Sequence, residues 1–201
     1  MVVAIARFLR LFPHGFQSSA YFDRERKYKL AAREKLMAAA PLEVALTSTG
    51  LGEGILSAFR ATNLLAPIES ARIQEALRGP RADTFVRGAA RIANGDTARG
   101  FAEVKEALAP HRAATWPVAT YLPFLWQPDT QMFLKPEVTK DFAARVGHEF
   151  ADDYSPDLNP SVYASLQSLV VTTESAIAEL KPVDRIDVQS FIWIVGKYVD
   201  E

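Results

Sequence analysis

The stretch from Trp116 to Pro136, WPVATYLPFLWQPDTQMFLKP, constrains the fold of this chain most, because it crowds two Trp, two Phe, one Tyr and four Pro into one short segment. Aromatic rings carry a large apolar payload that must leave water. Prolines remove backbone donors and clash inside a helix. The two demands together predict a largely buried, irregular seam between helical halves: a helical turn or more over Pro117 to Leu122, then extended backbone through Met132 to Leu134.

On both sides of the seam the apolar residues recur at helical spacing. Ile5, Leu9 and Phe12 share a face, with Arg7 and Arg10 away from it, so the apolar start reads as a surface helix rather than a signal peptide or anchor. Ser18 or Ser19 caps a helix from about Ala20 to Ala40, closed by Pro41. Further helices follow Ile55, Phe59 and Leu65; Pro67 to Leu77; Phe85, Ala89 and Ile92; and Phe101, Val104 and Leu108, with Asp96 or Thr97 as a cap. Pro136 opens another, which Gly147 ends. Asn159-Pro160 starts a long one reaching Leu180. The segment 186–198 is ambiguous: Asp187 caps it as a helix, while Val188, Ser190, Ile192 and Ile194 alternate as in a strand, and helix is the preferred reading.

The fold expected is mainly α: a compact multi-helix domain of seven to nine helices with an irregular aromatic and proline-rich central segment, leaving room for a two-stranded edge element near it. A chain of 201 residues that is 49% hydrophobic suffices for one such domain over residues 1–201, with any subdivision near 110–116.

Charge and cysteine usage exclude more than they assign. The net charge of −1 provides no global field for nucleic acid or an anionic membrane. With no cysteine there is no disulfide, thiolate nucleophile or Cys-ligated metal, which fits a reducing cytoplasm. The charge is nevertheless polarised. Met1 to Leu36 holds eight bases and three acids, whereas Glu137 to Glu201 holds five bases and twelve acids, so the ends are expected to attract one another within a molecule or between molecules.

The run at Trp116 to Pro136 and the run IDVQSFIW at Ile186 to Trp193 resemble segments of a conserved bacterial protein family without an assigned function. The resemblance implies a bacterial, cytosolic protein and transfers no catalytic or binding residue.

Among candidate sites, the clearest basic cluster is Arg24, Arg26, Lys27, Lys29, Arg33 and Lys35, interleaved with Tyr21, Phe22 and Tyr28. Basic groups that neutralise phosphates and aromatics that stack on bases make it a candidate nucleic-acid surface. Asp23, Glu25 and Glu34 among them favour a solvated helix face instead. Arg72, Arg78, Arg81, Arg87, Arg91 and Arg99 are candidates to extend it. A second candidate is a cleft at the seam, built from Trp116, Trp126, Asp129, Lys135 and Trp193.

Other groupings fail on spacing. Glu149, Asp152, Asp153 and Asp157 lack the alternation of a calcium loop. The three histidines form no helical ligand pair, and His148 beside Glu149, Asp152 and Asp153 reads as a helix-end surface residue. TSTGLGEG has no following Gly-Lys-Ser/Thr, and Glu103-Val104-Lys105 lies on a helical stripe. No catalytic residue, cofactor or metal is expected. The reading is therefore a non-catalytic interaction or regulatory protein of a bacterial cytoplasm with a protein partner and no membrane. The alternatives are a nucleic-acid-associated protein using helix 21–35, and an enzyme of unrecognised type with a cleft at 116–136.

Overall fold

The structure is a computed structural model that describes residues 1–197. It is all-helical, with no strand among the described residues. Twelve helices follow one another: α1 (Val2–Leu11), α2 (residues 19–39), α3 (Leu42–Ala45), α4 (Gly52–Arg60), α5 (Pro67–Arg78), α6 (Ala82–Ala93), α7 (Thr97–Leu108), α8 (Trp116–Trp126), α9 (Pro136–Val146), α10 (Phe150–Asp153), α11 (Pro160–Ala176) and α12 (Arg185–Lys197). Their starts follow local chemistry. Ser18 Oγ accepts from Tyr21 N at α2, and Asn159 Oδ1 accepts from Val162 N at 3.0 Å, with Pro160 at the first position of α11. Gly147 ends α9 in the left-handed region at φ 71°. The long helix expected to reach Leu180 stops at Ala176 and tightens into a 3₁₀ turn over Ala178–Leu180.

The seam is more helical than its prolines imply. α8 runs through all eleven residues from Trp116 to Trp126, with Pro117 in its first turn and Pro123 inside it. Every residue of α8 is buried, which is what a helix apolar on all sides requires. Its polar atoms staple it to its surroundings: Tyr121 Oη donates to Ala58 O at 2.8 Å, Trp126 Nε1 to Ala40 O at 2.8 Å, and Trp116 Nε1 to Ser155 O at 2.7 Å. Neighbouring helices thus fix the segment, offsetting the donor that Pro123 lacks. The irregular backbone is confined to residues 127–135, where Thr120 Oγ1 accepts from Leu134 N at 3.0 Å.

Around α8 the core is continuous, from the rings of Phe8, Phe12, Phe16 and Tyr21 near α1 to Leu166 and Val170 on α11. α6 and α7 press backbone to backbone. A Cβ at Gly100 would stand 2.7 Å from Gly88 O. A Cβ at Gly196, on α12, would likewise stand 2.6 Å from Val138 O on α9, so that contact also needs glycine.

The polarised ends of the chain do meet. α1 and α12 touch through Phe8 and Phe191, with ring centroids 5.3 Å apart, and basic α2 lies against the acidic start of α12. The segment 186–198 is thus helical as far as Lys197, and its last residue lies outside the described residues.

Candidate ligand cleft

Two neighbouring features occupy the face where α2, α9 and α12 converge: a buried network of charges, and a cleft that opens beside it. The network depends on an irregularity in α2. Residues Phe22–Arg26 form a π turn between the α-helical pieces Ser19–Tyr21 and Lys27–Ala39. In a regular α-helix, residues five apart are rotated by about 140° from one another. The i→i+5 bonding of a π turn returns them to one face. Tyr21 and Arg26 are five apart, and both reach Asp187 Oδ1, at 2.5 Å from Tyr21 Oη and 2.7 Å from Arg26 Nη1.

Arg26 also grips Asp184 with both terminal guanidinium nitrogens, at 2.8 and 2.7 Å. Asp184 caps α12 by accepting from Ile186 N, while Asp187 reaches back to Val183 N at 2.8 Å. The expected cap, Asp187, is thus displaced by Asp184, and the two carboxylates share a helix start whose dipole favours negative charge. Burial opposes the charge on Arg26, but its hydrogen bond to Asp184 and the charges of Asp187 and Asp184 win and raise its pKa. Burial also raises Tyr21, with the Asp187 charge acting in the same direction.

Lys29 completes this face. It is fully buried, and its Nζ donates to Ser190 Oγ at 2.7 Å and lies 3.7 Å from Glu25. Desolvation pushes its pKa down to about 8, against the opposing charges of Glu25 and Asp187.

The cleft begins on the far side of Glu25. A chamber of about 210 Å³ is lined by Arg24, Glu25, Tyr28, Lys135, Gln189 and Trp193, among others, and its walls are mostly polar. A larger, open and mainly apolar groove of about 810 Å³ adjoins it, with Trp116, Pro117, Val138, Tyr154 and Trp193 among its walls. Lys135, Trp193 and Lys197 belong to both hollows. The lysine ammonium groups approach the Trp193 ring to 5.7 and 4.7 Å from its centroid, a cation–π arrangement that holds two like charges near one indole. Lys135 also donates to Leu64 O at 2.8 Å. Its pKa is lowered, first by burial and also by the neighbouring Lys197 charge, with Glu69 acting in the opposite sense.

The structure brings three of the five cleft residues together: Trp116, Lys135 and Trp193. Trp126 is buried against α2 through its bond to Ala40, and Asp129 lines a separate small hollow with Glu174 and Asp184. The basic cluster on α2 is divided. Arg26 and Lys29 point inward, Arg24 lines the chamber with its Cζ 5.6 Å from the Phe12 ring, Lys27 is exposed beside Asp23, and Lys35 is exposed. Arg33 has a buried Nε without a partner. Of the arginines considered as its extension, five are ion-paired elsewhere, Arg78 with Glu53, Arg81 with Glu106, and Arg87, Arg91 and Arg99 with Glu103 at 3.5, 3.2 and 3.4 Å, while Arg72 donates to Arg112 O.

Gln189 and Lys197 escaped the sequence reading, and Glu25 and Tyr28 were read as parts of the basic helix rather than of a cleft. Gln189 had a signal: it is the one amide in the mostly apolar stretch VQSFIWIV. His148 accepts from Phe150 N, at the first position of α10, through Nδ1 and faces Ser168 through Nε2. Among the described residues, no three His, Asp or Glu side chains converge as a metal site, and no helix is long and apolar enough to cross a membrane. No family model matches the chain, and no curated protein or solved structure is significantly similar to it.

Proposed function

We infer that the protein is a non-catalytic interaction protein, and that the groove beside Trp193 receives a segment of a partner protein combining apolar side chains with acidic ones. The observation that carries this reading is the groove itself: about 810 Å³ of open, mainly apolar surface with aromatic walls. Such a volume suits a docked chain or ligand better than a surface whose only neighbour is water. Charge supports the acidic character of the partner. Of the carboxylates at the rim, Glu69 accepts from Ala66 N and Thr115 Oγ1, and Glu137 pairs with Lys140 at 2.9 Å. Arg72, Lys135 and Lys197 stand at the same rim without a carboxylate partner among the described residues.

The test is selection from a library of random twelve-residue peptides, followed by titration of individual hits. Hits should combine aliphatic or aromatic residues with Asp or Glu, and should lose at least tenfold in affinity to Trp193→Ala and to Val138→Asp. A selection that yields no peptide, or only peptides indifferent to both substitutions, refutes the reading.

A further inference from the structure

Gln189 is 4% exposed, lines the chamber, and its Oε1 has no hydrogen-bond partner. Buried amides are ordinarily satisfied, and an unmade bond of this kind is costly. The same chamber presents Arg24, Lys135 and Lys197 against a single acid, Glu25, which is already engaged by Lys29. Two of those cations sit near one indole and repel each other; the Lys135 pKa is lowered first by burial and further by the Lys197 charge. Missing donor and excess positive charge thus coincide in one place.

We propose that the chamber binds a small organic dianion that carries a hydroxyl or other hydrogen-bond donor. Its two negative charges sit between Lys135, Lys197 and Arg24, its donor satisfies Gln189 Oε1, and the Trp193 ring forms one side. The size agrees: about 210 Å³ is less than the roughly 300 Å³ at which drug-sized sites begin, and it is well above the space of a single water. Because Lys135, Trp193 and Lys197 also line the groove, occupancy of the chamber alters the charge that a docked partner meets. This goes beyond the docking reading and does not depend on it: peptides can bind the groove whether or not the chamber takes a dianion.

Trp193 is half-buried, unlike Trp116 and Trp126, which makes its emission the readout. L-malate, succinate, glycerol 1-phosphate and inorganic phosphate are titrated at constant ionic strength. L-malate or glycerol 1-phosphate should shift the emission and raise the melting temperature, and whichever binds more tightly identifies carboxylate or phosphate as the anionic group. Succinate has the charge of malate without its hydroxyl and should bind at least tenfold more weakly. Lys197→Ala, at an exposed position, should weaken malate or glycerol phosphate binding at least tenfold. Gln189→Leu should erase the preference for malate over succinate. The proposal is overturned if no probe binds, if inorganic phosphate binds as well as every organic anion, or if Gln189→Leu retains the wild-type preference.

Discussion

Two polar clusters lie on opposite sides of Glu25, and they are finished to different degrees. In the network of Tyr21, Arg26, Asp184 and Asp187, both carboxylates accept from side chains and from backbone N–H groups, and both guanidinium arms are engaged. In the chamber, Gln189 has an orphaned oxygen and two lysines crowd one ring. Both have burial, and both draw on α2 and α12. The difference is completeness: a closed network holds helices in register, whereas an open one has binding capacity left over.

The widest gap between the clusters should come from Asp187→Ala. It leaves Tyr21 without its acceptor and Arg26 with Asp184 alone, and the loss of this buried carboxylate should cost about 3 kcal/mol, the low end for a broken buried pair. Urea unfolding should show the loss, and a cost below about 1 kcal/mol would mean that the network is not holding α2 to α12.

Lys29 comes next and shows itself through pH. Its folded pKa of about 8 lies below the ordinary lysine value of 10.5, so between those values the unfolded chain binds more protons and stability rises with pH. Below about 8 the full penalty of the buried charge is present. The difference in unfolding free energy between wild type and Lys29→Met should therefore swing toward wild type by on the order of 2 kcal/mol across this window. Using the difference cancels the shared titration of the tyrosines. A flat difference would show that Glu25 and Ser190 keep Lys29 charged throughout.

Gln189→Leu should reverse the usual sign of a core substitution. Replacing an unsatisfied buried amide with an apolar group of similar size should stabilise the protein by roughly 1–2 kcal/mol, read as a higher melting temperature. A loss of stability would place Gln189 with the completed network. Smallest of all, Lys197→Ala should change stability by less than about 0.5 kcal/mol, because an exposed lysine contributes little to folding, even as it weakens anion binding.

Much of the helical framework was written in local signals: Asn159-Pro160, Pro136 and Gly147 act at their own positions, and the stripes of α6, α7 and α11 face the core. α8 was underestimated because proline propensity is a local quantity, whereas its helix is held by distant acceptors on Ala40, Ala58 and Ser155. Trp116, Lys135 and Trp193 were legible as members of a cleft because aromatic and basic types stand out. Asp129 was grouped with them by nearness in sequence, and the turn after α8 carries it to another face. The network was hidden for a different reason. A π turn shifts the register by a residue, so Tyr21 and Arg26 do not share a face under any regular helical spacing.

The flush seating of Gly196 on Val138 makes the end of α12 a gauge for the distance between its lysine and the one preceding α9. A single added methyl there cannot fit unless α12 and α9 shift against each other, which would change the gap that any bridging anion has to span. Selectivity at this face is therefore adjustable from behind, by a residue that never meets the bound molecule.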